Sequence, residues 1–170
     1  MESLSMFAME SNLDCHSVIQ RFRTLCGITL GEVGYYVGVR VWEQPDVNAS
    51  PTGYYQDTIT AFNISANTWS NTLKTSIGTE GTIQGASIGT ISALGLDKRG
   101  LLVLIGGKDP MTNVSDAYYG FSHYFNFSNI TIYDPYIDVW YAQTATGDIP
   151  GVRESFCMAT MQGDNGTYEM

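Results

Sequence analysis

The sequence predicts an all-β fold. Three observations carry that prediction. Runs of β-branched and aromatic residues are separated by Gly, Pro, Asn and Asp turn signals. No helical periodicity follows residue 30. An internal repeat places a tryptophan seven positions after an aromatic residue twice, at Phe62 and Trp69 and again at Tyr133 and Trp140. The 170 residues suffice for one domain or part of one. Apolar residues make up 44% and aromatics 12%, which excludes a disordered chain. The net charge of −9, with only 8 Lys and Arg, repels phosphate and argues against nucleic acid as a partner.

Residues 1–30 read apart from the rest. They hold Cys15 and Cys26, and Val18–Leu25 mixes apolar and basic residues in a way that permits a short helix or no order. The two cysteines are equally compatible with a pair and with free thiols. Val33–Trp42 is rich in β-formers, and Thr58–Ile64 alternates so that Ile59 and Ala61, with Phe62 as a further candidate, face packing partners. Gln84–Leu94 is small and β-compatible. Gly100–Gly107 is an apolar run closed by two glycines, which suits a strand buried on both faces. Asn129–Tyr133 and Val139–Gln143 form two more strands around a turn, Ser155–Met161 is another, and Thr167–Met170 opens one more.

The two copies of the repeat share one order: apolar strand, glycine, long loop, aromatic strand, turn, Trp strand. Asn67 and Asp138 precede the two tryptophans as turn residues, and Asp134 caps the turn after Tyr133. A β-sandwich with two similar hairpins is the alternative to a repeat architecture.

Gly106-Gly107, Tyr133, Trp140 and Arg153 together resemble a kelch motif. The segment ITIYDPYIDVWYAQTATGDIPGVRESFC is similar to kelch repeats of secreted or membrane-anchored fungal proteins, and GTIQGASIGTISALGLDKRGLLVLIGG resembles the first two strands of the same unit. The resemblance implies a partial kelch-type β-propeller of the galactose-oxidase central-domain kind, with about two four-stranded blades. Residues 31–71 would be a degenerate blade, because Gly38 is followed by Val39. Residues 81–143 would be a nearly complete blade, and 150–170 the start of the next. The glycine pair would close the second strand, Tyr133 and Trp140 (with Phe62 and Trp69 in the first copy) would pack between blades, and Arg153 would be structural. Propellers close with about four to eight blades, so a longer natural chain is expected.

The chemistry is sparse. His16 and His123 are the only histidines, and no C-x-x-C spacing exists. Copper radical oxidases share the implied architecture, but no cluster of Tyr, His and Cys ligands is evident. No catalytic residue, cofactor or metal is expected. Glu154 reads as a partner for Arg153, Cys157 as buried and inert, and Lys108-Asp109-Pro110 as a turn. The stretch from Tyr118 to Phe127 has six aromatics in ten residues. Tyr118, Tyr119, Phe121, His123 and Tyr124 are the candidate binding loop, since aromatics stack on sugars and anchor protein interfaces. Packing of that loop on its own blade is the competing reading.

Of nine asparagines, six open an N-x-[ST] sequon, where one or two are expected from composition. Asn63, Asn113, Asn126, Asn129 and Asn165 are candidate glycosylation sites, while Asn48 is followed by Pro51. The expectation is a non-enzymatic interaction module of an extracellular or membrane-anchored protein that binds a protein or glycan. An intracellular adaptor and a non-catalytic piece of a propeller enzyme are the alternatives. Residues 1–30 hold no signal-peptide core, and any membrane attachment would lie in segments beyond this chain.

Overall fold

The computed structural model describes residues 21–23, 26–38, 40–43, 52–55, 57–74, 83–109, 123–164 and 167–170. Its strands in chain order begin with β1 (Arg21–Arg23), β2 (Cys26–Leu30), β3 (Val33–Val37), β4 (Arg40–Glu43), β5 (Thr52–Tyr55), β6 (Thr58–Asn63) and β7 (Thr68–Lys74). They continue with β8 (Ser87–Ile91), β9 (Leu101–Ile105), β10 (Lys108–Asp109), β11 (His123–Tyr124), β12 (Asn129–Asp134), β13 (Val139–Thr144), β14 (Met161–Gln162) and β15 (Tyr168–Glu169). A 3-10 turn spans Leu96–Lys98. The chain is all-β, as the sequence predicts, and its two main units are four-stranded antiparallel sheets. Sheet I has the order β2-β3-β6-β7, and sheet II the order β8-β9-β12-β13.

The two sheets match position for position. In sheet I, Gly34 faces Phe62, which faces Trp69. In sheet II, Leu102 faces Tyr133, which faces Trp140. Thr29 opposite Gly34 corresponds to Thr90 opposite Leu102. Both second strands end at glycines with left-handed backbone, Gly38 (φ 74°) in one and Gly106 and Gly107 (φ 66° and 80°) in the other. Beyond that break each chain starts a second, smaller ladder. β4 pairs with β1 and β5, while β10 pairs with β11 and bridges Gln84. The turns before the tryptophans also match, with Asn67 (φ 52°) and Asp138 (φ 56°) both left-handed, a conformation Asn and Asp tolerate.

Several expectations need correction. Cys26–Leu30 is a strand that completes sheet I, so this unit starts before residue 31, and Arg21–Arg23 is extended rather than helical. Val33–Trp42 is two strands, broken at Gly38. Lys108–Asp109 is a strand, held by His123–Tyr124 across from it. Ser155–Met161 is not a strand up to Thr160. It lies beside sheet II through individual contacts, with Ser155 N donating to Gly85 O at 2.8 Å and Thr160 Oγ1 donating to Thr90 O at 2.7 Å. Ser155 itself has φ 56°, which interrupts an extended ladder.

The core lies between the sheets. Leu30, Tyr35, Val37, Ile59 and Ala61 of sheet I meet Ile88, Leu102, Leu104 and Tyr133 of sheet II, with Ile83 and Ala86 beside them. The other face of sheet II buries Ile91, Val103 and Ile105 against Phe127, Met158 and Tyr168. The run Leu101–Ile105 therefore alternates between two apolar layers, as a strand buried on both faces must. Fully burying each such Leu, Ile or Val contributes about 1.5–3 kcal/mol.

Candidate functional site

The glycine pair marks the end of sheet II where its long connection leaves. A Cβ on Gly107 would stand 2.6 Å from Ala86 N and 2.7 Å from Gln84 O, both backbone atoms. A Cβ on Gly106 would stand 2.8 Å from Phe156 and 2.9 Å from Phe127. Gly107 N donates to Arg153 O at 3.1 Å, and Phe125 N donates to Gly107 O at 3.0 Å. The pair thus lets the β9 strand end, the start of the long connection and the 153–156 segment converge.

Arg153 sits at this junction. Its Nε donates to Gly151 O at 3.3 Å, and its guanidinium lies 5.6 Å from the Phe127 ring centre. Glu154 pairs with Lys108 Nζ at 2.8 Å rather than with Arg153.

Tyr118, Tyr119 and Phe121 lie outside the described residues, as does the His123 side chain. Strand β11 places the His123 backbone opposite Asp109 and Tyr124 opposite Lys108. Tyr124 is exposed. Phe125 and Phe127 fold back onto the two apolar layers, and Phe127 lies 5.1 Å from Phe156. The aromatic stretch therefore divides, with its last two phenylalanines in packing and Tyr124 at the surface. What the geometry offers at this end is an exposed phenol and the Lys108–Glu154 pair beside a loop.

The aromatic pairs of the repeat sit in different surroundings. Tyr133 and Trp140 stack at 4.5 Å in the core, where Tyr133 OH donates to Asp138 Oδ1 at 2.6 Å. Phe62 and Trp69 lie 4.7 Å apart on the outer face of sheet I, and Tyr36 joins them at 5.8 Å from Trp69. Tyr36 lies in the predicted Val33–Trp42 strand region, and its spacing of two from Gly34 places it on the Phe62 face. Glycines open this face as well: a Cβ on Gly27 would stand 2.8 Å from the Tyr36 ring.

Among the candidate glycosylation sites, Asn126 and Asn129 are exposed and Asn63 is half-buried. Asn63 Oδ1 accepts from Ala66 N and Asn126 Oδ1 from Ser128 N, so both serve turns through their oxygen. Asn48, Asn113 and Asn165 lie outside the described residues.

A shallow cleft of about 360 Å³ is lined by Leu96, Leu101, Ile132, Ile137 and Tyr141 around Asp134. Asp134 is buried, and its carboxylate accepts from Tyr136 N at 3.0 Å and Leu96 N at 3.2 Å. It clamps two turns, which extends the capping role the sequence suggests. Burial pushes the Tyr35 phenol up to about 12, helped by Tyr136 and Asp134. Burial likewise pushes the Cys26 thiol up to about 12, against a backbone hydrogen bond that lowers it. Cys26 is a free thiol, and Cys157 is exposed rather than buried, since residues 155–160 form no ladder and it is the neighbouring Met158 that packs on the far face of sheet II. Among the described residues no group of three or more His, Cys, Asp or Glu could hold a metal, and no helix is long and apolar enough to cross a membrane.

Compared with known proteins, the chain matches no protein-family model and no curated protein sequence.

Proposed function

We propose that the chain is a kelch-type propeller segment that works as a non-enzymatic interaction module of an extracellular or membrane-anchored protein, binding a protein or glycan partner through the long connection after the glycine pair. The observation that carries this reading is the position-for-position match of the two sheets, in which the same strand order, glycine break and aromatic–Trp pair recur. Repeated sheets of this kind act as rigid supports, and their connecting loops carry recognition. The connection between Lys108 and Tyr124 is the longer of the candidates for that role and the richest in aromatics. The sequon excess supports a secretory location.

The test immobilises the chain and probes it with a defined panel of N-glycan, mannan, β-glucan and chitin oligosaccharides. The same panel is run on a variant with Tyr118, Tyr119, Phe121 and Tyr124 changed to Ala. The reading expects at least one probe to bind, with a loss of about 10-fold or more in the variant, as base rates for aromatic anchors suggest. Binding that the variant leaves unchanged would remove the loop from the site. A blank panel would leave a protein as the partner. Mass mapping of Asn126 and Asn129 after glycosidase release, on protein from its native host, tests the location, and unmodified asparagine at both would overturn it.

A further inference from the structure

The matching of the two sheets also defines a direction. The face of sheet II that carries Leu102, Tyr133 and Trp140 is covered by sheet I, so Leu102 and Tyr133 are almost fully buried. The corresponding face of sheet I carries Gly34, Tyr36, Phe62 and Trp69. None of the described residues covers it in the same way: Tyr36, Phe62 and Trp69 are half-buried against one another, and Gly27, Thr29 and Asn71 on that face are exposed. At the other end, the far face of sheet II is covered by Met158, Thr160 and Tyr168, and Tyr168 OH accepts from Ala93 N at 3.1 Å. The hairpin β14–β15 thus continues the stack. Gln162 pairs with Tyr168 on the side toward sheet II, so Met161 and Glu169 point away from it, and Met161 is 64% exposed.

We propose that the outer aromatic face of sheet I docks a second copy of this chain, which presents the outward side of its β14–β15 hairpin around Met161. The contact repeats the relation that already joins sheet I to sheet II and sheet II to the hairpin, each unit turning its aromatic face to the unit before it. Continuity with the packing inside the chain selects a second copy as its occupant. The chemistry fits, because a flexible thioether packs favourably on tilted aromatic rings. The association is head-to-tail, with different surfaces on the two copies. Each copy carries a net charge of −9, so mutual repulsion opposes the contact and added salt strengthens it. The proposal does not depend on the glycan or protein partner above.

The experiment is sedimentation velocity on the chain over a concentration series at low and high salt. The expected result is reversible association that salt tightens. Trp69→Lys blocks the aromatic face and Met161→Lys the hairpin side, and each alone weakens association about 10-fold or more, the loss of 1.4 kcal/mol or more expected for burying a charge at an apolar contact. An equimolar mixture of the two variants regains a one-to-one pair that grows no further, because each supplies the surface the other lacks. Thr29→Lys, an exposed change on the same face, replaces Trp69→Lys if that variant melts early. A chain that stays monomeric overturns the proposal, whatever covers the face. A dimer lost with Trp69→Lys but indifferent to Met161→Lys also overturns it, since that pattern belongs to a symmetric contact or to another partner.

Discussion

Sheet I and sheet II share a topology and a register but not an energy. In sheet II both faces are covered, so Leu102, Val103 and Leu104 of β9 are each at most 1% exposed. In sheet I one face is buried against sheet II, with Ile59 at 0%, and the other keeps its aromatic residues half-open. The same cross-strand pair, an aromatic opposite tryptophan, is core in one sheet and surface in the other. The motif is therefore a local geometric device that fits either place. What decides its contribution is the neighbour that does or does not lie over it.

The largest break in this comparison comes from the glycine at the end of β9. Gly107→Val forces a side chain into the Ala86 and Gln84 backbone and into a left-handed φ of 80°, so it should cost about 4 kcal/mol or more. Gly38→Val meets the positive φ of 74° and should cost about 1–2 kcal/mol for the backbone alone. Urea unfolding of the two variants checks the order, and equal losses would mean that the close approach at Gly107 is absent.

Next come the tryptophans. Trp140→Ala removes a ring from the shared core and should cost about 3–5 kcal/mol. Trp69→Ala, on the open face, should cost about 1–2 kcal/mol, in line with a partly buried aromatic pair. Matched chemical denaturation at dilute concentration separates them, and a larger loss for Trp69 would reverse the assignment of core and surface.

A smaller effect sharpens the interface through pH. Both Cys26 and Tyr35 are raised by burial, from 9.0 and 10.0 to about 12. The unfolded chain therefore ionises first, and stability present below pH 9 declines between about pH 9 and 12. Tyr35→Phe should flatten the upper part of that decline, since part of the Tyr35 shift comes from Asp134 and Tyr136 of sheet II. A melting temperature that rises across this range would contradict the burial of both groups. The smallest change concerns the thiols. At pH 8 an alkylating reagent should label Cys157 within minutes and Cys26 only as the chain opens, read by peptide mass mapping.

Much of the two sheets was legible because the deciding signals are local. The apolar run of β9, the glycine pair, and Asn67 and Asp138 before the tryptophans each dictate backbone within a few residues. Strand β2 escaped because CGITL is short and gains its place only by pairing with β3, a partner the pattern does not name. The two-residue ladder of β10 and β11 escaped for the same reason, since its partners are separated by a long connection. The partner of Glu154 and the exposure of Cys157 depend on how residues 150–160 lie along sheet II without forming a strand, which period-two alternation misreads. The candidate loop was legible as aromatic, and the structure divides it. Phe125 and Phe127 pack, while Tyr124 remains at the surface.

One contact reports on the face-to-face packing of sheets I and II. Leu30 at the end of β2 seats on Gly100 just before β9, where an added Cβ would stand 2.5 Å from Leu30 Cδ1. A double-mutant cycle of Leu30→Ala with Gly100→Ala, followed by urea unfolding, measures whether the two sites touch. Shortening Leu30 should relieve the clash, so that the double variant is more stable than the sum of the single losses by about 1 kcal/mol or more. Additive losses would contradict the packing of sheet I on sheet II.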